Sequence, residues 1–209
     1  MPPQWLLALV VLVQVLLGFS PKADRMTWAM ENVPVWIGLV VLAATWKRFR
    51  LSSLCLHLLA LHSVILAVGG HYTYAKVPAG EWLKHWLGLE RNHYDRLGHF
   101  AQGFVPAILI RELLLRTSPL RQGKWLVYLV ISACLGFSAF YELIEWWTAL
   151  LSGPAATDFL GTQGDPWDTQ WDMFFALIGA TVSMLAMCRW HDRSMSKLTT
   201  GTAADPTAA

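Results

Sequence analysis

The sequence predicts an all-α protein, a bundle of about six transmembrane helices, and three observations carry that reading. Six apolar stretches, at about 4–20, 28–46, 52–70, 97–115, 125–151 and 171–188, approach the roughly 20 residues a helix needs to cross the hydrocarbon core. Only 14% of the 209 residues are charged against 55% hydrophobic, with a mean hydropathy of +0.41; a soluble domain is typically about 25% charged. Twelve tryptophans suit the membrane–water boundary, where an apolar ring and a polar N–H are both satisfied.

The first stretch is short, but Met1 to Gln4 holds no Lys or Arg and no small-x-small cleavage site follows, so it reads as a helix rather than a signal peptide. The second is interrupted by Glu31, Asn32 and Pro34, which leaves Val35 to Trp46 uniformly apolar. The third carries His57 and His62, the latter an expected interhelical hydrogen-bond partner near mid-membrane. Between the third and fourth, Trp82, Leu83, Trp86 and Leu87 recur at helical spacing beside Glu81, Lys84 and His85. They predict either a short amphipathic helix on the outer leaflet or a segment packed on the bundle. The fourth ends in Arg111 and Glu112, expected to reach the interface by extending their apolar stems. Residues 1–193 form one transmembrane domain without internal repeats. The Thr-, Ala- and Ser-rich stretch 194–209 reads as a disordered cytoplasmic tail.

Orientation follows from the basic residues. Lys47, Arg48 and Arg50, then Arg116, Arg121 and Lys124, then Arg189, Arg193 and Lys197 follow alternate helices, and the segment 152–170 has no Lys or Arg. Both termini are expected in the cytoplasm, with Lys76, Lys84, Arg91 and Arg96 as the dissenting outer loop. The net charge of +2, with no basic run between aromatic residues, excludes nucleic-acid binding. Cys55, Cys134 and Cys188 are odd in number and lie in apolar segments, which points to buried apolar side chains rather than disulfides.

Ionisable residues inside membrane helices are costly and face a bundle interior or polar cavity. In a six-helix topology Glu31, His71, Asp95 with His99, Glu142 with Glu145, and Asp168 with Asp172 all arrive at one depth near the outer surface. Asp95 and His99, and Asp168 and Asp172, are four residues apart, and Ser138, Glu142 and Glu145 share a face. Ala176, Gly179 and Ser183 continue the face of Asp172, with side chains small enough for close helix approach. So many carboxylates need a cation, a basic partner or protons. The expected cofactor is a divalent metal ion held by Asp95, His99, Glu142, Glu145, Asp168 and Asp172. Glu142, Glu145, Asp168 and Asp172 are then the candidate catalytic residues, activating water against a lipid or envelope-glycan headgroup. His71, Tyr72, Arg91, His93, Gln102, Gln163 and Asp165 are the candidate substrate contacts, and Gly161 to Pro166 a candidate lid or rim. The same residues also fit a proton- or ion-coupled carrier, or an ion-paired knot through Arg91 or Arg96 that only locks the helices.

Four segments carry a family resemblance: Gly69 to Tyr74, Arg91 to Phe104, Ser138 to Trp147 and Phe159 to Met173. Over roughly residues 21–188 they resemble the YjdF family of bacterial inner-membrane proteins. The resemblance implies a multi-pass inner-membrane protein and supplies no reaction. His99-Phe100, the Glu142/Glu145 segment and the Asp168/Asp172 segment with Gly179 are more loosely similar to VanZ-like proteins, which are associated with glycopeptide resistance. The chain departs from that pattern in lacking an asparagine between its last acid and its glycine.

Overall fold

A computed structural model describes residues 4–152 and 162–202, and every described element is helical. The helices are α1 (Gln4–Phe19), α2 (Arg25–Thr45), α3 (Ser53–Tyr72), α4 (Pro78–Leu87), α5 (Tyr94–Thr117), α6 (Lys124–Ser152), α7 (Asp168–Ala186) and α8 (Cys188–Thr202), with a 3-10 turn at Tyr74–Lys76. Six of them fall on the six apolar stretches. By length and composition α2, α3 and α6 can each cross a membrane alone, and α7 with α8 passes as one span bent by 66°. The 16-residue α1 is shorter, and α5 falls outside the test because it carries charge at both ends.

Those charges are affordable because α5 sits in the middle, with α3, α6 and α7 against it and α1 and α2 packed on α3. Its closest neighbour is α7, and small residues explain the closeness. A Cβ on Gly103 would overlap the Ala176 carbonyl, and one on Gly179 would overlap the Phe100 carbonyl. Even alanine at either position forces two backbones apart. The small-residue face expected on α7 is therefore the face it buries, with Ala176 and Ser183 fully enclosed.

One end of the bundle exposes Trp82, Trp86, Trp146, Trp147, Trp167 and Trp171, and the other Trp5, Trp125 and Trp190. Between these belts the outward face is apolar, from Leu7 and Leu16 on α1 through Val40 to Phe137 and Phe140 on α6. That surface matches a bilayer core between two interfaces. The amphipathic segment forms as α4, and Trp82 and Trp86 stack with ring centroids 6.2 Å apart on its exposed side.

The chain does not become a tail at Ser194. It turns at Met187 into α8, which runs to Thr202, and the Ser194 hydroxyl accepts a hydrogen bond from the Leu54 N–H. Residues 203–209 of the expected tail lie outside the described residues. The polar segment adopts structure because it has somewhere to dock, at the start of α3.

Candidate functional site

The site is built around the start of α5, and Asn92 organises that start. Its side-chain oxygen accepts the Tyr94 N–H at 3.0 Å and its amide donates to the Val77 carbonyl at 3.0 Å and to Glu81 at 3.1 Å. Its own backbone is held on both sides by Gln163, which accepts the Asn92 N–H and donates to the Asn92 carbonyl, each at 2.9 Å. A Cβ on Gly80 would land on the Asn92 amide. Asn92 thus ties α4, α5 and the segment before α7 together. Gln163 adopts φ 49° and Gly164 φ 84°, in a turn closed by the Asp165 N–H on the Thr162 carbonyl. The side-chain bonds to Asn92 hold a non-glycine residue in that left-handed backbone region.

This anchoring places two arginines between three aspartates. Arg91 donates to Asp168 at 2.7 Å and to Asp165 at 3.2 Å; Arg96 donates to the same two oxygens at 2.8 Å and 3.3 Å. Arg96 also bonds Asp172 and the Asp168 carbonyl. Asp95 is 3.6 Å from Arg91 and 3.9 Å from Arg96.

His99 stands beyond this knot. Its Nε2 is 3.5 Å from Asp95 and 3.7 Å from Asp172, and its Nδ1 is 3.9 Å from Glu142. One ligand atom from each of Asp95, His99 and Asp172 lies within 4.8 Å of the others, and the same holds for His99, Glu142 and Glu145. Metal–ligand bonds of about 2.0–2.6 Å span that separation from a common centre. Glu31 joins from α2, accepting the Tyr141 hydroxyl at 3.2 Å, within electrostatic range of Asp95 and His99. His99 Nδ1, Glu142 Oε1, Gln102 Oε1 and the Ser138 hydroxyl are buried without a hydrogen-bond partner among the described residues.

The cluster is therefore two halves with different electrostatics. Asp165, Asp168, Asp172 and Asp95 are paired with two guanidiniums, which balance two of their four charges. Among the described residues no arginine pairs with Glu31, Glu142 or Glu145, although Glu145 lies within range of Glu142, Glu31, Asp95 and Asp172. Two carboxylates about 5 Å apart at an effective dielectric of about 20 repel by about 3 kcal/mol, so the glutamate half needs a counter-charge or protons.

A cavity of about 150 Å³ opens against Glu142, Glu145, Trp146, Ala149, Thr162, Asp168 and Thr169. A second of about 450 Å³ is lined by Glu90, Arg91, His93, Gln163, Gly164 and Asp165. His93, in the segment leading into α5, is held below the ordinary imidazole range, by partial burial first and then by Arg91 and Arg96.

The remaining expected site residues divide. Gln102 is on α5 one turn beyond His99. Asp168 belongs to neither metal-capable trio, because two guanidiniums already hold its carboxylate. His71 and Tyr72 engage elsewhere: His71 meets the Leu17 carbonyl at 2.8 Å, and the Lys22 ammonium sits 4.8 Å over the Tyr72 ring. Gly161 lies outside the described residues. His62 Nε2 is buried with no partner among them, contrary to its expected interhelical hydrogen bond.

At the opposite end, Arg111 and Glu112 do not reach for the interface. Arg111 is 2% exposed and Glu112 0%, and both are consumed inside the protein. Glu112 accepts from the Ser52 N–H at 2.8 Å and the Ser52 hydroxyl at 2.6 Å, from Arg116, and from His191 Nε2 at 3.0 Å. Arg111 bonds His191 Nδ1 at 2.9 Å and Asp192 at 2.7 Å. A guanidinium only donates, so Nδ1 accepts and the imidazole proton sits on Nε2, facing Glu112. This network docks α8. A helix-end charge pair gives no local signal for it, because the partner lies about 80 residues away, past the last apolar stretch.

The chain matches the family described as "Predicted membrane protein (DUF2238)" over residues 2–193. It is 50% identical over 188 residues to the Inner membrane protein YjdF of Escherichia coli (strain K12), covering 90% of each chain. No solved structure matches it.

Proposed function

We propose a function for this chain, which belongs to the DUF2238 family of predicted membrane proteins: it holds a divalent cation between His99 and the surrounding carboxylates. The cation serves at the periplasmic face of a bacterial inner membrane, where it binds the headgroup of a lipid or lipid-linked glycan and activates water against it. The basic residues at the opposite end support the periplasmic side, and the inner-membrane relative supports the membrane. The observation that carries the reading is His99, shared between two ligand trios on opposite sides of one imidazole. A mixed imidazole–carboxylate set suits Zn²⁺ or Mn²⁺ better than Ca²⁺, which takes oxygen ligands. Glu142 and Glu145 also line the 150 Å³ cavity, where either could take a proton from an attacking water. The proton-coupled carrier is less well supported. Beneath the cluster α5, α6 and α7 close on Ala107, Leu126, Val130, Cys134, Ala180 and Met184, a packed apolar layer among the described residues.

The test is elemental analysis of dialysed, purified protein. The wild type is expected to retain about one divalent ion per chain, and Glu142→Gln at least tenfold less, since even residues behind a ligand alter metal affinity 10–100-fold. Protein that carries no metal, and takes up none from added Zn²⁺ or Mn²⁺, overturns the reading.

A further inference from the structure

We infer that Arg91 and Arg96 form the seat for a phosphomonoester group, and that the protein's own Asp165 carboxylate occupies this seat until such a ligand displaces it. The inference rests on the headgroup reading above and names the ligand's chemistry. The two guanidiniums hold two carboxylate oxygens unequally. Asp168 is bound at 2.7 and 2.8 Å and is 6% exposed in its side chain; Asp165 is bound at 3.2 and 3.3 Å and is 25% exposed. Asp168 is thus part of the knot, whereas Asp165 is the outer, looser guest. It is carried on the Thr162–Asp165 turn and faces the 450 Å³ cavity.

Arg91 keeps donor capacity in reserve: its buried Nε has no hydrogen-bond partner among the described residues, and its Nη2 makes no hydrogen bond there, facing Asp95 at 3.6 Å. His93 lines the same cavity. Glu90 also lines the cavity, and with Asp165 it selects against weak anions. A singly charged carboxylate or phosphodiester gains nothing over the resident Asp165. A phosphomonoester brings about −1.5 to −2 charge and three acceptor oxygens, and can use the Arg91 Nε and compete with Asp95 for Nη2 in fork geometry. A headgroup seated here lies across Asp168 from the Glu142/Glu145 cavity, since Asp168 bonds Arg91 and also lines that cavity.

The experiment titrates full-length protein, in EDTA, with dihexanoyl phosphatidic acid, dihexanoyl phosphatidylglycerol and inorganic phosphate. Asp165→Asn keeps an oxygen to accept the Trp167 N–H that Asp165 now accepts at 2.9 Å, so the turn survives while the competing charge is removed. Phosphatidic acid is expected to bind Asp165→Asn about tenfold more tightly than wild type, the equivalent of one charge-assisted hydrogen bond freed. Adding Arg91→Gln should abolish that gain, and phosphatidylglycerol should show none. Inorganic phosphate binding as well as phosphatidic acid identifies free phosphate as the source; binding tenfold weaker identifies the lipid headgroup. Because the signal is a gain, misfolding cannot imitate it. No tightening in Asp165→Asn, or equal tightening for phosphatidylglycerol, overturns the inference. EDTA separates the outcomes: a failed cation site leaves the phosphatidic acid signal intact, whereas a failed seat leaves the metal content intact.

Discussion

Arg96→Met is expected to lower the thermal unfolding midpoint in detergent by on the order of 10 °C. The side chain is 6% exposed and meets Asp165, Asp168 and Asp172 at once. Methionine matches its length and removes its charge, which leaves buried carboxylates facing only Arg91 and His99. Removing one partner of a buried ion pair costs about 3–5 kcal/mol, which for a chain of this size corresponds to roughly 2–4 °C per kcal/mol. The loss comes from uncompensated charge rather than lost packing, so it should be partly reversed by adding Asp168→Asn and Asp172→Asn. A triple variant no more stable than Arg96→Met would assign the cost to packing instead. Arg96→Lys should also destabilise, because a single ammonium cannot span the oxygens that a planar fork reaches.

The second large effect is expected at the other end, from Glu112→Ala. Four donors converge on this carboxylate, from the Ser52 N–H, the Ser52 hydroxyl, Arg116 and His191. Truncation leaves all of them without their acceptor and Arg116 without its buried counter-charge, a cost of about 3–5 kcal/mol. It also unfastens α8, since His191 and Asp192 dock that helix through Glu112 and Arg111. Trypsin cleavage after Arg189 or Arg193, beside the Met187 bend, should accelerate together with the fall in melting temperature. An α8 as protease-resistant in Glu112→Ala as in wild type would mean that other contacts hold it.

These two networks differ in how far the sequence discloses them. The outer cluster is legible because each contribution is local: Asp95 and His99, or Glu142 and Ser138, share a face by spacing alone, and topology brings the faces to one depth. The small-residue face of α7 is legible for the same reason, and Gly179 meets the Phe100 backbone as its spacing implies. What the spacing does not disclose is pairing. Asp168 is equivalent to Asp172 by spacing, yet both guanidiniums claim it and remove it from the cation trios. Asn92 carries the local mark of a residue before a helix, but its bonds to Val77, Glu81 and Gln163 depend on chain segments up to 71 residues away. The inner network was illegible for a further reason. A charged pair at a helix end is ordinarily solvated, and its partner His191 lies about 80 residues away, just past the last apolar stretch. His71 and Tyr72 show the converse, since arriving at the right depth did not bring them to the right face.

The division of the outer cluster carries the functional claim. Arginines pair with the aspartate half, which a structural role explains; among the described residues the glutamate half has no arginine partner. Anomalous scattering from crystals grown with Mn²⁺ tests this most directly. A manganese peak about 2.0–2.6 Å from a His99 nitrogen and at least two carboxylate oxygens is the predicted result. Density showing His99 hydrogen-bonded between Asp95 and Glu142, with no anomalous peak near it, would contradict the account and leave the cluster as a structural knot.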